Sequence, residues 1–338
     1  MANVQFAVVD VFSKTPYKGN PLAVVHDLQG ELSDTQMKLI TRQFNLSETT
    51  FFSKSSLPSA NYKLRSFLPD GREVFGVGHN ILGVWWYLAH AGLLDFSKEG
   101  VRRAEGVEEY TFHQELGGSV TPVKISRTQA SSGGETEFSV SITQATPKVH
   151  SRHPNPALLA EVIGLRAGDM GIASATSGNR SNCITPRVMS TAATHHLLVP
   201  VASIAALERA SVQRDELLGQ LQLAHERAYG LYLFARDEKA GKDAYRARFF
   251  SPGMSGEDPA TGSAAGPLSA LLYKEGHLQL VGNRASIKVW QGLQVGRECV
   301  IKVEFAVNAL DEMVVDVLGS GVLVSEGRLT APGSETQF

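Results

Sequence analysis

The sequence predicts an α/β protein built from two related halves, each with strands wrapped around a buried central helix. Three observations carry that prediction. Short β-branched runs alternate with a few helical stretches over the whole chain. One helix candidate, with Ile81, Leu82, Val84, Trp85, Trp86, Leu88 and Ala89, is apolar nearly all round. A helix apolar on every face must be enclosed by protein. The third observation is an internal repeat, the kind of self-similarity that duplicated domains leave behind.

Tyr62-x-x-Arg65-x-Phe67-x-Pro69 recurs as Tyr245-x-x-Arg248-x-Phe250-x-Pro252 at an offset of 183. After each proline come a short loop, a glycine, a small or polar residue and an apolar helix. The first copy reads Gly78-His79-Asn80 into Ile81–Leu88, and the second Gly262-Ser263-Ala264 into Ala265–Leu272. Two copies of one domain follow, residues 1–145 and 146–338, with the final strand or tail free to pack back on the first half. The Pro147, Pro154 and Pro156 cluster is the linker candidate.

Element by element, Val8–Phe12 and Leu22–Val25 read as strands flanking a Gly19-Asn20-Pro21 turn. Ser33 to Phe44 reads as a helix with Ser33 as N-cap. Thr49–Phe52 and Tyr62–Leu68 read as strands, Ser131–Gly134 as a hairpin tip and Phe138–Ile142 as a strand. In the second half, helices fall near Ala157–Ile163 and Ala202–Leu207. Strands fall near Val300–Phe305 and Met313–Val317. Pro267 is tolerated if it lies in the first turn of its helix, where its missing N–H costs nothing.

Composition narrows the function classes. A formal net charge of −2 gives no electrostatic reason to expect nucleic acid or a membrane surface as partner. Cys183 and Cys299 are the only cysteines, which excludes a zinc ribbon or disulfide scaffold and fits a reducing, cytoplasmic compartment. The N-terminus lacks a basic leader and reads as a first strand. The apolar stretch Ile81–Leu94 carries His90 and is too short to span a bilayer.

A helix start presents free N–H groups and a partial positive charge, and a glycine there admits close approach of a ligand. Gly78 and Gly262 facing one cleft would hold an anion, most simply a substrate carboxylate. Taken singly, each glycine equally fits a crowded turn. Gly76-Val77-Gly78 begins like a dinucleotide fingerprint, but Ile81 stands where the third glycine belongs. His150-x-x-His153 and His195-His196 lack convergent metal geometry and read as solvated or capping histidines. No cofactor and no metal are expected.

Three residues are acid–base candidates. Glu48 adjoins the apolar strand Thr49–Phe52, where desolvation would raise its pKa to suit a proton shuttle; it also fits a surface strand end. His79 stands at a helix start, where the dipole favours the neutral ring, and fits a relay or a cap. Asp258 is held extended by Pro259 and could face the second helix start or serve as an ordinary turn residue.

Several blocks lie in order along the chain: Val9-Asp10-Val11-Phe12, Gly19-Asn20-Pro21-Leu22-Ala23-Val24-Val25, Asn45-Leu46-Ser47-Glu48-Thr49, Gly78-His79, and Glu257-Asp258-Pro259-Ala260-Thr261-Gly262-Ser263-Ala264 with Gly266-Pro267-Leu268. Together they resemble the phenazine-biosynthesis PhzF-like family. The resemblance implies the diaminopimelate-epimerase-like fold: two pseudo-symmetric halves, each a barrel-like, mostly antiparallel sheet around a central helix, with the active site in the cleft between them. It also implies Glu48 as the catalytic glutamate, with His79 and Asp258 assisting. Asn20, Gly78, Asn80, Gly262 and Ser263 are expected to form the substrate-binding set. In related amino-acid epimerases a cysteine precedes each helix-opening glycine; here those positions are Val77 and Thr261, which disfavours two-thiol racemisation. Asn80 and Gly76-Val77 depart from the family pattern at the cleft. The function implied is a cofactor-independent isomerase, homodimeric, of secondary-metabolite biosynthesis, that shifts a proton on a small carboxylate-bearing substrate. A lyase or epimerase acting on a cyclic amino or hydroxy acid, or a non-catalytic binder of the same fold, stands as the alternative.

Overall fold

The computed structural model describes residues 3–75, 78–97, 101–104, 106–129, 136–173, 183–192, 194–333 and 335–338. In chain order the first elements are β1 (Asn3–Val11), β2 (Asn20–His26), α1 (Asp34–Phe44), β3 (Thr49–Lys54), β4 (Tyr62–Phe67), β5 (Glu73–Val74) and α2 (His79–His90). There follow β6 (Val101–Ala104), β7 (Val107–Leu116), β8 (Ser119–Thr128), β9 (Glu137–Gln144), β10 (Lys148–Arg152), α3 (Pro156–Val162), β11 (Ile172–Ala173), β12 (Cys183–Ile184) and β13 (Arg187–Ser190). The remainder are β14 (His195–Pro200), α4 (Ile204–Arg209), α5 (Arg214–Ala224), β15 (Gly230–Arg236), β16 (Ala244–Phe250), α6 (Gly262–Lys274), β17 (Arg284–Gln291), β18 (Cys299–Val307), β19 (Met313–Gly319) and β20 (Gly321–Thr330). This is a mixed α/β fold dominated by sheet. Among the described residues no helix is long and apolar enough to cross a membrane.

One compact unit comprises Met1–Ile142 and Leu318–Phe338, and a second comprises Thr143–Val317. In the first, strands run in the order β20-β1-β2-β3-β4-β7-β8. The successive pairs are antiparallel, antiparallel, parallel, antiparallel, parallel and antiparallel. The second unit repeats that series pair for pair along β10-β13-β14-β15-β16-β17-β18. A parallel pair needs a crossover connection. In the first unit α1 joins β2 to β3, and α2 lies between β4 and β7; in the second, α4 and α5 join β14 to β15, and α6 joins β16 to β17.

The crossover helices α2 and α6 are the buried ones. Every residue from His79 to Ala89 is buried, and α2 packs on β1, β2, β3, β8 and β20. The indole N–H of its fully buried Trp85 donates to Gln114 Oε1 at 2.8 Å. Gly83 lets α2 close on the sheet: a Cβ there would lie 2.6 Å from Val11 Cγ2 and 2.7 Å from Leu22 Cδ2. Gly83→Ala should therefore lower stability in urea unfolding. Overpacking costs about 1–3 kcal/mol and exceeds the helix-propensity gain of about 1 kcal/mol.

The repeated Arg-x-Phe motif has a physical role in each unit. Arg65 Nε and Nη2 donate to the two carboxylate oxygens of Glu73 at 2.8 and 2.7 Å, and its guanidinium lies 5.0 Å over the Phe67 ring. Arg248 grips Glu257 with the same fork and lies 5.0 Å over Phe250. The glutamates are offset by 184, one more than the arginines, because the second loop holds one extra residue. That loop difference also aligns Gly78 with Gly262 and His79 with Ser263.

Several sequence expectations are corrected. Pro267 is the sixth residue of α6, beyond the first turn. Gly266 before it carries no Cβ to meet the proline ring, which relieves the clash that normally breaks a helix there. A Cβ on Gly266 would also overlap the buried Gln144 amide. Asn20 and Pro21 already belong to β2, paired with Val11 and Asp10; the turn before them is made by Gly19 at φ 85°. The helix expected from Ala202 starts at Ile204, because Ser203 caps it through the Ala206 N–H. The proline cluster read as a linker carries β10 and the first residue of α3, capped by Asn155. The Ser131–Gly134 tip lies outside the described residues.

Candidate active site

In the first unit, α1 ends on Asn45 in the left-handed region at φ 51°, its N–H bonded to Thr41 O. Asparagine tolerates that conformation, which explains the first residue of the Asn45-Leu46-Ser47-Glu48 block. Three residues later comes Glu48, immediately before β3 begins at Thr49, so it is delivered at the mouth of that strand. Glu48 Oε2 approaches His79 Nε2 to 3.3 Å, with the glutamate side chain 22% exposed and the histidine 7%. The buried Oε2 makes no aligned hydrogen bond among the described residues. Burial therefore raises the Glu48 carboxyl from 4.5 to about 7. A carboxyl poised near neutrality can both take and return a proton.

His79 is the first residue of α2, and Gly78, in extended backbone, is its N-cap without a side-chain cap bond. Asn80 is buried and its Nδ2 donates to Ser66 Oγ at 3.0 Å, which in turn lies 2.8 Å from Thr50 Oγ1. This polar chain ties the helix start to β4 and β3. Asn20 is fully buried at the head of β2. Gly76 and Val77 lie outside the described residues.

In the second unit, Asp258 is fixed by an antiparallel bridge to Phe249. The Thr261 hydroxyl donates to Asp258 Oδ2 at 2.6 Å. Gln291 closes the network: its Nε2 donates to Asp258 O at 2.7 Å and Thr261 Oγ1 at 2.9 Å, and its Oε1 accepts from Thr261 N–H at 3.1 Å. Thr261, N-cap of α6, thus spends its hydroxyl on Asp258 and makes no cap bond itself. Gly262 opens the helix, its carbonyl accepting from Gln144 Nε2 at 2.9 Å. Ser263 follows, with Oγ 3.1 Å from His196 Nε2. Hence Glu48, His79, Gly78 and Asn80 gather at the start of α2, and Asp258, Gly262 and Ser263 at the start of α6.

Sequence reasoning missed Gln291, Gln144 and His196. Neither glutamine carries a local signal. His195 and His196, expected to be solvated or capping, are both buried in β14. His-His-Leu-Leu-Val-Pro forms a strand buried at every position.

The fold defines a class first. It resembles a Bacillus anthracis phenazine biosynthesis protein of the PhzF family with a TM-score of 0.78 at 21% identity, covering 98% of this chain and 100% of that one. The chain matches the PhzC-PhzF family, described as phenazine biosynthesis-like proteins, over residues 9–327, and it belongs to that family. It is 28% identical over 325 residues to trans-2,3-dihydro-3-hydroxyanthranilate isomerase of Pseudomonas aeruginosa, covering 96% of this chain and 98% of that protein. It is 27% identical over 333 residues to an uncharacterized isomerase of Mesorhizobium japonicum, with 97% and 99% covered.

Proposed function

We propose that the protein is a cofactor-independent isomerase that shifts a proton between carbons of a small carboxylate-bearing substrate, with Glu48 as the acid–base group. The observation that carries this is the desolvated Glu48 carboxyl beside His79 at the start of a buried helix. In the step, the Glu48 carboxylate takes a proton from a substrate carbon, and the C–H electron pair moves into the neighbouring unsaturated system. The protonated carboxyl then returns a proton to a second carbon, and atoms and charge balance without a co-reactant. His79 assists by orienting the carboxyl. Asn20, Gly78 and Asn80 in the first unit, and Asp258, Gly262 and Ser263 in the second, are the residues we assign to substrate recognition. The relative named for trans-2,3-dihydro-3-hydroxyanthranilate supports a cyclic amino acid of that kind as the first substrate to test.

Incubation with trans-2,3-dihydro-3-hydroxyanthranilate and related cyclic carboxylic acids in deuterated water separates the readings. Uptake of solvent deuterium with a moved double bond is expected. Loss of water would make the protein a lyase, exchange at one stereocentre an epimerase, and binding without exchange a binder.

The pH dependence follows from Glu48. As a base it must start ionised, so kcat/KM should rise with pH through about 7 and level off above it. Stability should run the other way. A carboxyl whose folded pKa is raised favours folding when protonated. That contribution is complete below about 4.5 and is lost as pH rises through about 7. Each tenfold difference in proton affinity between the folded and unfolded chain is worth about 1.4 kcal/mol. Both slopes should vanish in Glu48→Gln, measured by initial rates and by urea unfolding across the same pH series.

A further inference from the structure

His196 occupies the place in the second unit that corresponds to the approach of Glu48 to His79 in the first. In the first unit Thr49 of β3 stands opposite Phe67 of β4 and Ala23 of β2. In the second, Leu231 of β15 stands opposite Phe250 of β16 and Leu197 of β14. Phe67 and Phe250 are the repeat's own phenylalanines, so Thr49 corresponds to Leu231, Glu48 to Gly230 and Leu22 to His196. The first unit sends a carboxylate from the residue before Thr49 to the first turn of its helix. The second has a glycine at that position, and the imidazole of the neighbouring strand fills the space. A Cβ on Gly230 would stand 2.6 Å from His196 Nδ1.

We propose that His196 is a positioning residue: it donates its Nε2–H to Ser263 Oγ and so leaves the Ser263 hydroxyl proton to bind a substrate carboxylate. This rests on the reading that Ser263 contacts substrate. The ring is 1% exposed, packed edge-to-face with Tyr229 and Phe249 at 5.0 and 5.2 Å between ring centres. Burial pushes its pKa down to about 3, so the imidazole stays neutral and carries one N–H. Nε2 lies 3.1 Å from Ser263 Oγ, while Nδ1 has no hydrogen-bond partner among the described residues.

The position of that single proton decides what Ser263 offers. On Nδ1 it would be a buried donor facing the Gly230 methylene, a repulsive and unsatisfied arrangement. On Nε2 it is satisfied by Ser263, and the bare Nδ1 lone pair meets the Gly230 Cα–H that occupies the Cβ direction, a weak attraction. With the Nε2 tautomer, Ser263 Oγ accepts from His196 and its own hydroxyl proton remains to be donated. With the other tautomer, Ser263 would give its proton to His196 and face the substrate only as an acceptor, a poor partner for an anion.

The tautomer is read directly by nitrogen NMR of wild-type protein labelled at histidine. The expected result is a protonated Nε2, a bare Nδ1, and no titration of this ring between about pH 5 and 8. A proton on Nδ1, or titration in that range, overturns the proposal. The consequence for binding is read with 3-hydroxyanthranilate, the aromatic counterpart of the candidate substrate. His196→Phe keeps an aromatic ring between Tyr229 and Phe249 and removes the donor. It should weaken binding about tenfold, as Ser263→Ala does, and the double variant should lose no more than either alone. Additive losses overturn the proposal. Failure of the wild-type protein to bind 3-hydroxyanthranilate counts against the proposed substrate class, and the NMR result then decides the tautomer by itself.

Discussion

Replacing Glu48 with Gln is expected to cut turnover by about 10²–10⁴, the usual worth of a positioned acid–base group. The amide keeps the size and polarity of the side chain but carries no transferable proton. Oε2 makes no aligned hydrogen bond in the resting protein, so the substitution breaks no structural bond among the described residues. Glu48→Gln should therefore melt only a little higher than the native protein at pH 5 and clearly higher at pH 8, where the native carboxylate is ionised in a desolvated place. Binding of a substrate analogue should also change little, because the helix starts and Ser263, not Glu48, are proposed to hold the carboxylate. His79→Asn should cost less than Glu48→Gln, since His79 orients the carboxyl at 3.3 Å without replacing it. Near-normal turnover in Glu48→Gln would move the base elsewhere, first to Asp258. Loss of folding would make Glu48 a structural residue, which parallel melting curves distinguish.

The contacts that make Glu48 interesting were only half legible in the sequence. The residue and its apolar neighbours Thr49–Phe52 could be read, and so could His79 at a helix start. Their 3.3 Å approach could not, because it depends on the parallel and antiparallel pairings of β3 with β2 and β4. The repeat was legible from Tyr62, Arg65, Phe67 and Pro69. Its partners Glu73 and Glu257 were hidden by the single-residue shift in the second loop. Helix α5 was missed: it mixes Leu217 and Leu221, which are buried, with Leu218 and Leu223, which are exposed, and this blurs the period of its core face. His196 was misread for a related reason. A histidine is usually judged by its sequence neighbours, whereas its role here is set by a glycine on the adjacent strand and a serine in another element.

The largest loss of stability is expected from Arg248→Met. Arg248 is 8% exposed and forks onto Glu257, whose side chain is 13% exposed. Its third nitrogen, Nη1, donates to Leu207 O at 2.8 Å and Ala210 O at 2.7 Å, the carbonyls at the end of α4. One cation thus closes a helix end, where positive charge is favoured, and neutralises a buried carboxylate. Removing it strands Glu257 and leaves those carbonyls short of a donor, a change that costs about 3–5 kcal/mol. Arg65→Met in the first unit is the matched comparison. Arg65 is 24% exposed and its second partner, Asp34, is 66% exposed, so water can replace much of what is lost. Its cost should be nearer about 1 kcal/mol. Urea unfolding of the two variants tests the difference, and equal losses would show that burial of the repeated ion pair does not set its weight. The double variant Arg248→Met with Glu257→Met separates the two jobs of Arg248. Removing both charges relieves the stranded carboxylate and should recover part of the loss, because an apolar pair avoids the desolvation that a buried ion pair suffers. What stays lost is the capping of α4, and a double variant as unstable as Arg248→Met alone would assign the whole effect to those two carbonyls.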